Sequence, residues 1–303
     1  MATYLKPLHI KEWVTILYFL WIVGISILFR DRLAYWYLFV GGHTLAVPAI
    51  IWMANKLGFS VGKWKIVRSF YPYIIALLGY KESAYFVQII FPRWFDDALV
   101  AIDYSIFGVH PTIWLPEHGN LFLNECANFF YFSYFVYVPV LVYYFWKHKP
   151  ALVYEGFMGG IVMAYSFSYI FFALIPASSP RFALPEFGLI ASEDVRLNGY
   201  FFTAVIDMFM DKGAMRGGAF PSVHCCVSTV YLLNVYRYTP RKVFILSIIM
   251  VFGMYWSTVY GRYHYVIDVI TGISLGLLFD WSARRCQARI QEDRTSCNFS
   301  KSF

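Results

Sequence analysis

The sequence predicts an all-α fold: a polytopic transmembrane helical bundle of about six core spans, preceded by an N-terminal hairpin and covered by an extracytoplasmic lid segment. Three observations predict it. Of 303 residues, 59% are hydrophobic and only 14% are charged, where a soluble domain carries about 25% charge. The mean hydropathy is +0.54. Several apolar runs reach or approach the roughly 20 residues that cross about 30 Å of hydrocarbon, so helices rather than a barrel are the spanning elements.

Taken in order, the first run, 13–29, follows a short N-terminus with no small-residue cleavage site, and it reads as a retained span rather than a removed signal. The second, 33–54, completes an N-terminal hairpin, 1–68. A stretch at 70–91 is long enough to cross but carries Lys81 and Glu82 near its centre. Those charges are tolerable only where they face the bundle or each other. Runs at 127–146, 152–175, 222–236, 243–260 and 265–281 complete a catalytic core, 69–283. A cytoplasmic basic tail, 284–303, closes what reads as a single membrane domain, 1–303.

The basic residues set the expected orientation. Lys147, Lys149, the connection from Arg237 to Lys242, and Arg284, Arg285, Arg289 and Arg294 fall on one side if the last five spans alternate. The positive-inside rule makes that side cytoplasmic. Lys6, Lys11, Lys56, Lys63, Lys65 and Arg68 join them if the first two spans form a hairpin. The chain must then cross once more before Ala127, which makes 70–91 a span and places both termini in the cytoplasm. Two long connections, 92–126 and 176–221, go to the periplasmic, extracellular or lumenal face, the second as the lid.

Composition also excludes some functions. The net charge is +7, but the Lys and Arg residues sit between apolar runs rather than on a soluble basic face, so no nucleic-acid partner is expected. Cys126, Cys225, Cys226, Cys286 and Cys297 show neither metal-type pair spacing nor a disulfide framework. The Asn-Phe-Ser triplet beginning at Asn298 matches a glycosylation acceptor, yet it falls on the cytoplasmic tail and reads as chance.

Three short segments reach the non-cytoplasmic face, each at the end of a span: PASSPR at 176–181, GAFPSVH at 218–224 and GRYHYVID at 261–268. They bring Arg181, Ser222, His224, Arg262, His264 and Asp268 to one level of the membrane. His264 and Asp268 are four residues apart at a helix start and share a face. A carboxylate behind an imidazole fixes its tautomer and stabilises the imidazolium, which a nucleophilic histidine requires. The competing reading is an interfacial His with an anchoring Asp. Ser222 and His224 open a helix whose N-terminus favours a phosphate. There Ser222 would bind a phosphate oxygen and His224 would act as general acid; a plain Ser N-cap with a surface His is the alternative. Arg181 and Arg262 would supply fixed charge to equatorial phosphoryl oxygens, or would only snorkel to headgroups.

PSVH at 221–224, together with His264 and Asp268 in an HxxxD spacing, resembles the type 2 phosphatidic acid phosphatase superfamily of lipid phosphatases and phosphotransferases. The resemblance implies a phosphohistidine at His264, orientation by Asp268, leaving-group protonation by His224, and no metal or other cofactor. The superfamily's first signature carries a Lys seven residues before its Arg, where this chain has Leu174. Its third carries Ser-Arg before the His, where this chain has Ser257 and Thr258. Asp96, the segment from Asp103 to Gly108, Pro111 and the SSPRF run at 178–182 are similar to the branch containing inositol phosphorylceramide synthases. That branch moves phosphoinositol from a phospholipid to ceramide.

The expected function is therefore that of a metal-independent lipid phosphotransferase. It takes a phospholipid substrate and passes the headgroup to a lipid hydroxyl such as that of ceramide or diacylglycerol. A lipid phosphate phosphatase, with water as acceptor, is the first alternative. A membrane transporter is the second, although transport sites lie near the midplane rather than at one interface.

Overall fold

The computed structural model describes residues 8–57, 63–213 and 215–299. Lys6, used above for orientation, and Ser300 of the Asn298 triplet lie outside them. The described residues form helices α1 (Ile10–Leu28), α2 (Trp36–Leu57), α3 (Lys63–Ser83), α4 (Asp96–Phe107), α5 (Pro111–Glu117) and α6 (Leu121–His148). There follow α7 (Ala151–Leu174), α8 (Pro180–Glu186), a 3₁₀ turn (Ser192–Val195), α9 (Phe201–Gly213), α10 (Val223–Tyr238), α11 (Arg241–Tyr260) and α12 (Val266–Phe299), with no strand among them. The all-helical, polytopic expectation holds.

Among the described residues, six helices are long and apolar enough to cross a membrane: α1, α2, α6, α7, α11 and the Val266–Asp293 part of α12; α4 and α5, bent by 64° at their break, would make a seventh if counted as one span. Half-exposed Leu20, Leu45, Ile249 and Leu278 stand on their outer faces, as lipid-facing side chains would. Two shorter or more polar helices complete the bundle. The 16-residue α10 packs among α7, α11 and α12, and α3 lies along α7.

The third hydrophobic stretch is displaced from its expected place. Its helix starts at Lys63 rather than at residue 70 and stops at Ser83, after which 84–93 turn. Lys81 and Glu82 thus sit in the last helical turn instead of mid-span, where Lys81 suits the negative end of the helix dipole. Glu82 reaches His43 on α2, 3.1 Å away, so this ionisable residue faces the bundle and is paired.

Helix α7 is the hub, touching α1, α3, α10 and α12. Close helix approach without a hydrophobic drive between spans depends on small residues. A Cβ on Gly159 would stand 2.3 Å from Ile10 Cγ2 of α1. On α12, a Cβ on Gly272 would stand 2.5 Å from the Ser222 carbonyl oxygen and one on Gly276 2.6 Å from that of Cys226. The α12 glycines let α10 lie against it backbone to backbone, which brings the start of α10 beside the start of α12.

The bundle end opposite those helix starts is held by buried ions. Lys11 Nζ of α1 lies 3.0 Å from Glu155 of α7, and Arg68 Nε of α3 lies 2.9 Å from Glu12 Oε1. Removing one member of such a pair strands the other charge, at about 3–5 kcal/mol. We expect Lys11→Ala to lower the thermal midpoint in detergent markedly. Lys11→Met combined with Glu155→Leu should recover most of the loss. A Lys11→Ala protein as stable as wild type would contradict this account of the clamp.

Candidate active site

The site is assembled on α4. Asp96 opens that helix and is buried; its Oδ2 accepts the Ser178 N–H at 2.7 Å, and its Oδ1 accepts the Ser179 N–H at 3.1 Å and the Tyr265 hydroxyl at 2.8 Å. Seven residues on, on the same face, Asp103 accepts the N–H groups of Val266 (2.7 Å) and Ile267 (3.0 Å). These are free donors of the first turn of α12, which has no intrahelical partner for them. Two carboxylates therefore fix both the PASSPR loop and the start of α12.

Backbone contacts then join the three motif segments directly. The Ala219 N–H donates to the Ala177 carbonyl (3.3 Å), Arg181 N–H to Arg262 carbonyl (3.1 Å) and Ser222 N–H to Asp268 carbonyl (3.1 Å). Ser179 and Arg262 hold φ values of 95° and 59°, a left-handed region that costs a non-glycine residue about 1–3 kcal/mol and persists only where surroundings impose it.

His264 and His224 face each other across this junction, His264 Nε2 being 3.5 Å from His224 Nδ1. His264 Nδ1 lies 2.8 Å from the Ala219 carbonyl. A carbonyl only accepts, so Nδ1 carries the proton and Nε2 keeps its lone pair, directed towards His224. Asp268 Oδ2 stands 3.5 Å from the same Nδ1 and accepts the Tyr265 N–H at 2.9 Å. The close orienting partner of His264 is thus a main-chain carbonyl of the second segment, with the Asp268 carboxylate behind it. Burial, with His224 adding to it, pushes the His264 pKa down to about 3, so its ring is neutral at ordinary pH.

Both histidines line a cavity of about 620 Å³. At its polar end are His224, His264, Arg181, Ser178, Ser179 and Tyr263. Most of its remaining wall is apolar, including Ile74 and Leu77 of α3, Phe135, Val138 and Pro139 of α6, and Phe209 of α9. Ile74, Leu77 and Phe135 are each two-fifths to one-half exposed, so the cavity is open sideways between α3 and α6. The lid expectation corresponds to α8, the 3₁₀ turn and α9, the last of which packs on α6.

Of the six residues singled out in the sequence, His224, His264 and Arg181 meet in this cavity, and Asp268 stands behind His264. Ser222 does not reach it. Fully buried, its hydroxyl accepts the Cys225 N–H at 3.4 Å and caps α10. Arg262 is also turned away: its Nη1 donates to the carbonyls of Asp194 (3.0 Å) and Val195 (3.3 Å).

Two participants escaped the sequence reading. Tyr131 of α6 places its hydroxyl 3.2 Å from His224 Nε2, so both nitrogens of that ring are engaged; nothing local in an aromatic-rich span marks it. Lys81 lines the cavity from α3, with its Nζ on the Gly213 carbonyl of α9. With Arg181 it is one of two fixed cations in the wall. Its signal, a charge in an apolar run, was visible without its destination.

The described residues hold no group of three or more His, Cys, Asp or Glu side chains placed to grip a metal ion. No curated protein and no solved structure matches the chain. The profile of the PAP2 superfamily matches residues 98–280, more than half of the chain and the whole of the three converging segments, and the chain belongs to that superfamily.

Proposed function

We propose that this membrane enzyme of the lipid phosphatase and phosphotransferase class transfers a phospho-headgroup from a phospholipid to a lipid hydroxyl through a phosphohistidine at His264. The observation that carries the proposal is the unprotonated Nε2 of His264, 3.5 Å from His224 Nδ1, at the polar end of a laterally open, largely apolar cavity.

In the first step His264 Nε2 forms a bond to phosphorus as the bond to the glyceryl oxygen breaks. His224, entering the step as the imidazolium, gives that oxygen a proton and becomes neutral, releasing diacylglycerol. Arg181 binds non-bridging oxygens, where a planar guanidinium outperforms an ammonium. As the His264 ring becomes cationic, the Ala219 carbonyl and the Asp268 carboxylate stabilise it. In the second step an acceptor hydroxyl loses its proton to His224, its oxygen bonds phosphorus, and the N–P bond breaks. No metal ion enters either step.

The lateral opening favours a lipid acceptor, which arrives within the bilayer. The resemblance to inositol phosphorylceramide synthases points to phosphoinositol as the group moved and ceramide as acceptor. Hydrolysis, with water in the second step, is the competing reading, since Arg181 and the histidine pair would serve it equally. We place the site on the non-cytoplasmic face, because Lys147, Lys149, Arg237 and Arg284 all lie at the helix ends remote from His264.

Purified protein supplied with labelled phospholipids, diacylglycerol and ceramide should yield a new phospholipid; inorganic phosphate as sole product would select hydrolysis. Chelators should leave turnover intact, and a strict metal requirement would refute the mechanism. His264→Ala should abolish turnover, and His224→Ala should slow it by about 10²–10⁴-fold. Wild-type rates in either variant would exclude the assigned roles.

A pH effect on stability follows as well. An unfolded imidazole titrates near 6.5, while His264 in the fold sits at about 3, so between these values the unfolded chain binds the extra proton. This contribution to stability is full above about pH 6.5 and is lost as pH falls towards 3. Thermal midpoints in detergent should drop between pH 7.5 and 4.5 more steeply for wild type than for His264→Gln; parallel profiles would count against it.

A further inference from the structure

Tyr131 of α6 stands outside all three motif segments, yet its hydroxyl lies 3.2 Å from His224 Nε2, while His224 Nδ1 faces His264 Nε2 at 3.5 Å. We propose that Tyr131 is the positioning residue of the acid–base histidine. It holds the Nε2 proton in place, so that Nδ1, the nitrogen nearer the attacking atom, is the one that gives and takes protons. The inference deepens the phosphohistidine reading above and rests on it.

Tyrosines recur every three positions at Tyr131, Tyr134 and Tyr137 and share a face of α6. Two of their hydroxyls are committed to neighbouring helices, Tyr134 to Tyr165 of α7 at 2.6 Å and Tyr137 to Ser228 of α10 at 2.6 Å. Tyr131 follows the same pattern but meets a titratable ring. It is buried, and its ring packs on that of Tyr263, beside His264, with centroids 4.4 Å apart. Tyr134 comes edge-on to the His224 ring at 4.8 Å. The depth of α6 is fixed about two turns earlier: Asn124 accepts the Tyr260 hydroxyl at 2.7 Å, and Glu125 accepts the N–H groups of Tyr200 (2.6 Å), Phe202 (2.9 Å) and Thr203 (3.0 Å) around the start of α9. The Tyr131 hydroxyl is thereby held at the level of the histidine pair.

A hydroxyl accepts as well as donates, whereas an imidazolium only donates. With His224 charged, Nε2–H therefore donates to the Tyr131 oxygen, and Nδ1–H is left for the ester oxygen. As the phosphorus–oxygen bond breaks, the Nδ1 proton passes to the departing oxygen. The ring becomes neutral with its hydrogen on Nε2, and the Nδ1 lone pair points towards phosphorus. In the second step that lone pair takes the proton of the acceptor hydroxyl, and the ring returns to the imidazolium. The Nε2 proton moves in neither step. Without the Tyr131 oxygen, the neutral ring can equally carry its hydrogen on Nδ1, a tautomer that cannot act as base at phosphorus.

The test compares full-length wild type, Tyr131→Phe and Tyr137→Phe in mixed micelles on two substrates. One is phosphatidylinositol with ceramide, whose glyceryl oxygen must be protonated to leave. The other is an alkyl p-nitrophenyl phosphodiester, whose nitrophenolate leaves without a proton. Tyr131→Phe keeps the ring and its packing on Tyr263. Its kcat on the phospholipid should fall about 10–100-fold, the effect of losing a hydrogen bond to a charged group, with KM close to that of wild type. Its pre-steady-state burst of nitrophenolate should keep the wild-type rate. Tyr137→Phe, which loses a similarly buried hydroxyl on the same face of α6, should match wild type on both substrates. An undiminished kcat in Tyr131→Phe, or an equal loss on both substrates, as a general loosening of the site would produce, would overturn the role. Absence of any His264-dependent burst or turnover in the wild-type enzyme would instead sink the phosphohistidine reading itself.

Discussion

A buried carboxylate that accepts backbone N–H groups from a distant segment pins that segment in place, and two carboxylates of α4 do so at this site. Asp96 ties Ser178, Ser179 and Tyr265 together, while Asp103 takes the first free donors of α12. Without them the PASSPR loop and the helix carrying Asp268 would be separate loop ends with unsatisfied polar groups, each costly where water is scarce. Ser179 holds its left-handed conformation inside this arrangement, and Arg262 follows suit through the Arg181 N–H to Arg262 carbonyl bond. The positions of His264 and Arg181 are consequences of that frame.

The frame would be useless if the helices below it could slide. Sliding is opposed at both ends of the bundle by different means. At the site end, Gly272 and Gly276 let α12 press its backbone against α10, so the two histidines sit on helices whose separation is fixed by main-chain contact. At the far end, the ion pairs of Lys11 with Glu155 and of Arg68 with Glu12 lock α1 onto α7 and α3 onto α1. Buried pairs contribute little net stability against apolar substitutes, but they strongly penalise wrong registers. The N-terminal helices thereby become one wall of the cavity, through Ile74, Leu77 and Lys81 of α3.

What the sequence disclosed and what it hid follow the range of the interactions. His224, His264 and Arg181 were legible because each sits in a short segment at a span end, and topology alone brings span ends to one depth. The tautomer of His264 was not legible: its close partner is the carbonyl of Ala219, 45 residues away, and a carbonyl has no residue identity to read. Ser222 and Arg262 were misplaced for a related reason. Residue type gives a side chain's chemistry, but the left-handed φ at Arg262 and the buried N-cap geometry at Ser222 decide where that chemistry is aimed. The third helix shifted because length and hydropathy weigh Lys81 and Glu82 as costs, whereas His43 and the cavity turn both into contacts.

Water bears on the proposed mechanism, because a phosphohistidine at His264 would be open to hydrolysis as readily as to transfer. His264 is only 3% exposed, and the chain segment carrying Ala219 covers its Nδ1. The apolar limb of the cavity, open between α3 and α6, would deliver a lipid hydroxyl without admitting bulk solvent, while a second, polar chamber beyond Arg181, once filled by a retained headgroup, would close the aqueous route. A headgroup bound there would act as the plug that keeps the proposed intermediate dry. On this view hydrolysis and transfer need no separate catalytic machinery: a monoester substrate, lacking a headgroup, leaves the polar chamber open to water, whereas a diester seals it, so the substrate itself decides which acceptor reaches phosphorus.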